Sequence, residues 1–295
     1  MSSIDTSIIL VNYKTPQLLE DCISSIYEKT FNLSFEIIVV DNNSNDGSER
    51  TIEDKFPKVK YIQSGENLGF GKANNIGIKI AQGDKILFLN SDTLLINNAI
   101  KILSEFLNNN DKVGVCGGNL FDLEKKHVHS FNRSFPGVFV ELDSIVNFKL
   151  SSLLKKKTEG FNTSDRPIKV AYICGADMMV RRKVLEEVGG FDPDFFLYFE
   201  ETELSFRISK KDYDIINVPE AEIIHLEGAS HNSILKKLQY FNSSRKIYYR
   251  KRYNYICFVA VCLLFLLKCY LGWLKSCFIR NDQRKQFWEM NIKTF

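Results

Sequence analysis

At 295 residues, with 44% apolar and 13% aromatic side chains, the chain carries enough hydrophobic material for one large or two smaller cores, which excludes wholesale disorder. Its formal net charge of +3 hides an asymmetry: residues 236–295 hold 13 Lys and Arg against Asp282 and Glu289, a net of +11, while the preceding residues carry a net of −8. The two parts therefore face different partners. The seven cysteines form no Cys-x-x-Cys pair and several lie inside apolar runs, which argues for buried thiols in a reducing compartment over disulfides or zinc ligands. Asp5 and Asn12-Tyr13-Lys14 break up the first apolar run, so no signal-peptide pattern is present and a cytoplasmic body is expected.

SIILV at 7–11 reads as a strand, and Pro16 opens a helix whose Leu19, Cys22, Ile23, Ile26 and Tyr27 recur at helical spacing. EIIVV at 36–40 is a second strand; it runs into the turn residues DNNSNDGS, a short helix near 49–56 and a third strand at 59–63. A helix over 72–81, the strand KILFL at 85–89, a helix carrying Ile100, Leu103 and Leu107, and the strand VGVCGG at 113–118 follow. This alternation predicts an α/β fold: a Rossmann-like, mostly parallel sheet flanked by helices. From 121 to 167 the pattern dissolves into basic and polar sequence. Apolar strands resume at VAYICG (170–175) and MMVR (178–181), followed by a helix at 184–188, a GGFDPDFF loop and a helix carrying Glu200, Glu201, Glu203 and Arg207.

Two of these strands lead to an aspartate. IIVV stops at Asp41, and ILFL passes through Asn90 and Ser91 to Asp92. Ligands of open α/β sheets bind beyond the carboxyl ends of the strands, so both carboxylates are expected to face one crevice. A nucleotide with a metal-bridged diphosphate would use both, one acid for base or ribose and one for the cation. Asn-Ser-Asp is also ordinary turn and helix-cap chemistry. The loop GENLGFGKANN (65–75), with Gly69, Lys72 and Asn74, lies between a strand and a helix, where its amides can point at an anion. Gly69-x-Gly71-x-x-Asn74 is nearly a dinucleotide fingerprint, and Asp92 stands 21 residues beyond Gly71, so an NAD-type oxidoreductase is one alternative. A non-catalytic nucleotide or sugar binder is another.

His225, after Ile223-Ile224, is a structural histidine or a metal ligand. With Asp92, diphosphate oxygens and water it would complete an octahedral Mg²⁺ or Mn²⁺ shell. Glu200, Glu201 and Glu203 fall in one turn near a helix start, where they offset the helix dipole. Alternatively, Phe191, Phe195, Phe196, Tyr198 and Phe199 desolvate one of them into a useful base while stacking a sugar or lipid-linked acceptor. Arg207, at i+4 from Glu203, is expected to pair with it.

Taken in order, SIILVNY, VVDNNSNDGS, ENLGFGKANN, FLNSDT, ICGADMMVRR, GGFDPDFFLYFEETELSFR and HLEGAS resemble the nucleotide-sugar glycosyltransferases of family 2, and among them the rhamnosyltransferase-like members that build bacterial surface polysaccharides. The resemblance covers roughly residues 5–232. It implies a GT-A fold and an inverting transfer of one sugar, rhamnose being a candidate, from a nucleoside diphosphate donor, dTDP- or UDP-linked, to a lipid-linked or oligosaccharide acceptor. It further implies that Asp41 binds the nucleobase, that Asn12 and Asn67 line the nucleotide site, and that Asp92 is the metal-binding acid of an Asp-x-Asp signature. Glu201 would be the general base and His225 a further metal ligand. Two positions depart from the family pattern: the signature's first Asp is Asn90, and the base motif, usually Glu-Asp, is Glu200-Glu201. The Gln-x-x-Arg-Trp motif of processive synthases is missing, which favours single-sugar addition. The expected organisation is a nucleotide-sugar-binding half over 1–120, an acceptor-binding and catalytic half over 121–235, and a tail over 236–295. Nucleic acid is not an expected partner.

In the tail, YICFVAVCLLFLL (255–267) is uncharged, and tolerating Lys268 extends the run to Leu274. That is long enough to span if the lysine snorkels, but the uninterrupted part falls short of the roughly 18 residues of a clear transmembrane signal. Arg245, Lys246, Arg250, Lys251 and Arg252 precede the run, and Lys275, Arg280, Arg284 and Lys285 follow it. Basic flanks on both sides predict a helical tail lying peripherally or monotopically on an anionic membrane surface, the cytoplasmic face of the inner membrane.

Overall fold

A computed structural model describes residues 4–146, 160–226 and 233–295. The β-branched runs near the start of the chain build interior strands on one side of the central sheet. Thr6–Asn12 (β1) and Phe35–Asp41 (β2) are buried over nearly their whole length, as strands covered on both faces must be. Between them Pro16–Lys29 (α1) begins with proline in its first turn, where a missing N–H costs nothing. Ser48–Lys55 (α2), Lys60–Gln63 (β3), Phe70–Ile80 (α3) and Lys85–Asn90 (β4) complete a parallel β3-β2-β1-β4 array. Its register sets Asn12 opposite Asp41 and Val11 opposite Asn90, so the polar strand ends line up along one edge. On α3, a Cβ at Gly77 would lie 2.6 Å from Ile9 Cγ2; the glycine lets the helix sit directly on β1.

Thr93–Leu95 (β5), Ala99–Asn108 (α4) and Val113–Phe121 (β6) come next, then Phe131–Asn132 (β7) and Val138–Ile145 (α5). Ile168–Lys169 (β8), Tyr172–Ile173 (β9), Asp177–Arg181 (β10), Arg182–Val188 (α6), Glu200–Ser209 (α7) and Asp214–His225 (β11) follow. The sheet continues past β4 as β10-β6-β11-β5, with β10 antiparallel to both neighbours and β5 antiparallel to β11. The expected α/β sheet flanked by helices is thus present as a mixed one: the alternation of elements predicts the parallel β1–β4 part, while β10 and β5 add antiparallel pairings to the mostly parallel sheet expected.

Two local readings change. The VAYICG run is not one strand: Val170 N–H donates to Ile215 O and Ala171 N–H to Asn132 O. The chain thus leaves the central sheet for a two-stranded one between β8 and β9. Within 121–167, which carries no sequence pattern, lie β7 and α5, while Lys155, Lys156 and Lys157 fall outside the described residues.

The described residues fall into two compact units. The first, residues 4–133, 160–193 and 201–226, holds the sheets and the large core around Ile8, Leu10, Ile23, Leu87 and Met179. The second gathers 134–146, 194–200 and 233–295, including Ile234–Arg252 (α8), Tyr255–Phe278 (α9) and Asp282–Thr294 (α10). Its core is Phe195, Phe199, Tyr248, Tyr249 and Val261, beside a buried Glu141 that takes an ion pair from Arg245 and a hydrogen bond from Tyr249. Helix α9 is long and apolar enough to cross a membrane by length and composition.

Candidate active site

The carboxyl ends of β1 and β2 hold a polar cluster. Asn12 Nδ2–H donates to Asp41 Oδ1 at 2.7 Å and lies 3.1 Å from both Ser44 Oγ and Ser48 Oγ. Ser44 N–H donates to Asp41 Oδ2 at 2.9 Å, and Thr15 Oγ1–H donates to Asn12 Oδ1 at 3.0 Å. Asn12 and Asp41 are both fully buried. The amide of Asn12 is thus committed to protein at both ends and fixes Asp41, whose two oxygens keep acceptor capacity beyond one bond each. Asp41 lines a concavity with Asn45, Gly47, Ser48 and Gln63. The turn after β2 is made by Asn43 and Asn45 at φ 62° and 50°, the left-handed region that asparagine tolerates.

Asn42, which the sequence did not single out, ties this turn to the glycine loop. Its Nδ2–H donates to Gly69 O at 3.1 Å and its Oδ1 accepts from Leu68 N–H at 3.0 Å. Asn67 Oδ1 accepts from Gly69 N–H at 3.1 Å, so Asn67 shapes the loop from within. Gly69 sits at φ 80° just before α3, a conformation that favours glycine, and leaves the first helical amides without a side-chain cap. Lys72 is exposed on the first turn, while Asn74 is buried and donates to Phe70 O at 3.1 Å.

At the end of β4, Thr93 Oγ1–H donates to Asn90 O at 2.8 Å and closes the Asn90-Ser91-Asp92 turn. The short strand β5 then pairs with β11, Thr93 opposite His225, and Leu226 N–H donates to Asp92 O at 2.9 Å. This pairing brings His225 Nε2 to 3.4 Å from Asp92 Oδ1 and 3.3 Å from Asn90 Nδ2. Three predicted site residues therefore converge, Asn90 and His225 from 135 positions apart. Among the described residues no group of three or more His, Cys, Asp and Glu could hold a metal alone. An imidazole nitrogen and a carboxylate oxygen at this spacing suit a divalent cation whose other positions are filled by oxygens from ligand and water. Cys22 lies beneath the turn, its thiol pushed up to about 12 chiefly by burial, so it is not a nucleophile at neutral pH.

Asp177 is the second residue the sequence missed. It starts β10 fully buried, accepts from Gly118 N–H at 2.5 Å, and its pKa is raised to about 7 by burial, an effect that the Gly118 bond and His225 partly oppose.

Glu201, in the first turn of α7, has its pKa raised, first by burial; Thr202 Oγ1–H donates to Oε1 at 3.2 Å and works the other way. A Cβ placed on Gly175 would lie 3.5 Å from the Phe70 ring and 3.8 Å from Glu201 Cβ, so the acid stands beside the start of α3. Glu203 is committed elsewhere: Arg207 Nε bonds both its oxygens at 2.9 and 2.8 Å, as its i+4 position predicts. Arg207 also donates to Gly190 O at 2.6 Å and secures the Gly189-Gly190 turn. Glu200 is buried in the second unit, where it helps raise the pKa of Tyr198. The expected aromatic shell divides between two cores. Phe191 packs against Phe70 and Phe88, whereas Phe195 and Phe199 join Tyr248 and Tyr249. Tyr198 and Phe199 have φ of 70° and 68°, two strained aromatic residues directly before the acids, and such strain collects at functional sites.

Residues 7–189 match the family model described as glycosyl transferase family 2. The chain is 25% identical over 247 residues to an N-acetylglucosaminyl-diphospho-decaprenol L-rhamnosyltransferase of Mycobacterium tuberculosis, covering 76% of each chain. It is 29% identical over 224 residues to the dTDP-rhamnosyl transferase RfbF of Shigella flexneri, covering 73% of this chain and 68% of the relative. The rhamnosyltransferase WbbL of Escherichia coli is 29% identical over 208 residues, 68% of this chain and 76% of the relative. A crystal structure of GalNAc-T7 with UDP, GalNAc and Mn²⁺ superposes with a TM-score of 0.60 at 16% identity, covering 82% of this chain. The chain spans about half (47%) of that neighbour, which shares the GT-A-like fold. The oxidoreductase and the non-catalytic binder give way to these findings: the chain belongs to glycosyl transferase family 2 and is a rhamnosyltransferase-like glycosyltransferase.

Proposed function

We propose that this enzyme transfers a single sugar, with inversion, from a nucleoside diphosphate donor to a lipid-linked or glycan acceptor at an anionic membrane surface. The names of the Shigella and mycobacterial relatives make dTDP-rhamnose the first donor to try and a lipid diphosphate-linked sugar the first acceptor. The observation that carries the reading is the convergence of Asn90, Asp92 and His225 beyond the end of β4.

In this reading Asp41, held rigid by Asn12 and Ser44, accepts hydrogen bonds from the nucleobase, and the amides that open α3 face the diphosphate, with Lys72 free to swing toward it. Asp92 and His225 hold a Mg²⁺ or Mn²⁺ ion, with Asn90 able to turn its amide toward the site. That ion, when bound, supplies positive charge for the leaving diphosphate. Glu201 accepts the proton of the acceptor hydroxyl as its oxygen attacks the anomeric carbon and the bond to the diphosphate breaks. Burial strengthens it as a base, because a raised pKa means a greater hold on the proton once it is transferred. Glu201 is favoured over Glu200 by its place beside Gly175 and Phe70 in the donor-binding unit. The exposed Leu263, Leu267, Leu271, Leu274 and Phe278 of α9, flanked by basic residues, support an interfacial anchor on the cytoplasmic leaflet.

Calorimetry with dTDP and UDP, with and without Mn²⁺, tests the cation site. Asp92→Ala and His225→Ala are each expected to abolish the metal-dependent part of nucleotide affinity while leaving a metal-independent residue from Asp41 and the α3 amides. Metal dependence that survives both substitutions would remove the assignment.

A further inference from the structure

The second unit contains a cavity of about 340 Å³ whose walls come from α5, α9 and α10. Three cations line it, Lys268 and Lys275 from α9 and Arg284 from α10, and no Asp or Glu does. None of the three makes an ion pair among the described residues, whereas Arg245 in the same unit pairs with Glu141 and Lys251 with Asp194. The remaining walls are largely apolar, Leu271, Phe287 and Trp288 among them.

The cavity is a product of specific packing. A Cβ at Gly272 would lie 2.3 Å from Trp288, so this glycine is what lets the indole lie flat on α9 and form one wall. Trp273 Nε1–H donates to Glu289 Oε1 at 3.1 Å, and Asn281 caps α10 by accepting from Arg284 N–H at 2.9 Å. These contacts fix the α9–α10 hairpin and hold Arg284 at its first turn. Ser276 Oγ–H is committed to Gly272 O.

Like charges gathered beside apolar walls disfavour one another, and no carboxylate lines the cavity to pair with them. A ligand that brings negative charge on a hydrocarbon body relieves the repulsion and uses both kinds of wall. Inorganic phosphate would satisfy only the cations, and a neutral lipid only the apolar surface. We infer that this cavity binds the phosphate headgroup of an anionic glycerophospholipid, with the phosphodiester among Lys268, Lys275 and Arg284 and the upper acyl chain along Leu271, Phe287 and Trp288. Basic pockets between helices at a membrane surface recognise lipid headgroups in this way. The inference rests on the membrane-surface reading above only in that the lipid must be within reach of the chain.

The test uses the full chain and dihexanoylphosphatidylglycerol below its micelle concentration, followed by calorimetry and tryptophan fluorescence. Saturable one-to-one binding is expected, at least ~10-fold tighter than that of dihexanoylphosphatidylcholine or inorganic phosphate. Lys275→Gln with Arg284→Gln should weaken it at least ~10-fold. Arg280→Gln with Lys293→Gln, which removes the same charge outside the cavity, should change it less than ~3-fold, because no charged bilayer is present. Equal binding of the phosphocholine lipid, equal binding of phosphate alone, or equal loss in both double variants would each overturn the inference. The comparison of ligands on the unsubstituted protein decides the matter even if a variant misfolds. Flotation of the full chain with phosphatidylglycerol vesicles is scored separately. Flotation without binding of the short-chain lipid removes the pocket and keeps the membrane surface; binding without flotation does the reverse.

Discussion

Among single residues, the proposed base Glu201 stands out as a carboxylate whose pKa burial raises. Glu201→Gln keeps the shape of the side chain but cannot take a proton, so turnover is expected to fall at least ~100-fold with donor affinity preserved, the usual contribution of a positioned base. Glu200→Gln is expected to cost much less; a reversed order would move the base to Glu200. The pH profile gives an independent check. Glu201 accepts a proton only when ionised, and burial lifts its pKa above the ordinary 4.5, so activity should fade on acidification from a higher pH than an exposed glutamate would allow. Steady-state rates between pH 4.5 and 8 read the position of that limb, and an acid limb at or below pH 4.5 would contradict the role. Only the family resemblance separates Glu201 from Glu200, whereas Asp41, Asp92 and His225 were legible as candidates because strand ends and apolar flanks mark them. Asn42 and Asp177 were not. Asn42 acts through a loop 27 positions away, and Asp177 takes its burial from β4 and β6, a register that sequence does not display.

At the scale of elements, legibility follows continuity. The strands β1, β2 and β4 are unbroken apolar runs closed by turn formers, and the predicted ends of each lie within a residue or two of those observed. The strand β11 escaped notice although it carries His225. Its run is interrupted at Pro219-Glu220, where the pairing with β6 shifts register between Asn217 and Glu222. The buried Asp177 makes the sheet's stability depend on pH, with a definite sign. Its pKa rises from an ordinary 3.8 to about 7 on folding, so between these values the folded chain holds a proton that the unfolded chain has lost. This contribution is complete below about pH 4 and is lost as pH rises toward about 7. Asp177→Asn still accepts from Gly118 N–H but cannot ionise. Relative to wild type it should gain roughly 2–3 kcal/mol between pH 5 and 8, at about 1.4 kcal/mol per pKa unit. Urea unfolding in the presence of a chelator measures this, and a stability difference independent of pH would show that Asp177 ionises normally.

At the scale of the whole molecule, the contrast in charge between residues 236–295 and the rest corresponds to a contrast in architecture. The acidic part forms the sheet unit with the candidate active site, and the basic part forms most of the helical unit. What the sequence could not reveal is that residues 134–146 and 194–200 join that second unit, because their claim on it is tertiary: Phe195 and Phe199 fill a core with Tyr248, Tyr249 and Val261. Ending the chain at Leu235 would strip that core and leave Glu141 without Arg245 and Tyr249. Removing a partner from a buried ion pair costs on the order of 3–5 kcal/mol. The shortened protein is therefore expected to expose apolar surface, seen as dye binding and faster proteolysis around Phe195, while the sheet unit keeps nucleotide affinity. A fully resistant, well-folded truncation would contradict the assignment of that core.

Sugar transfer from a nucleoside diphosphate donor with Glu201 as base is tested by a mass-spectrometric donor screen. The full chain is incubated with dTDP-rhamnose and a panel of UDP-sugars, Mg²⁺ or Mn²⁺, and lipid diphosphate-linked acceptors. One donor should yield free nucleoside diphosphate and a single-sugar adduct of inverted configuration, and Glu201→Gln should bind that donor without consuming it. Turnover of the same donor at an undiminished rate by Glu201→Gln would contradict its role as base, and an adduct of retained configuration would contradict inverting transfer.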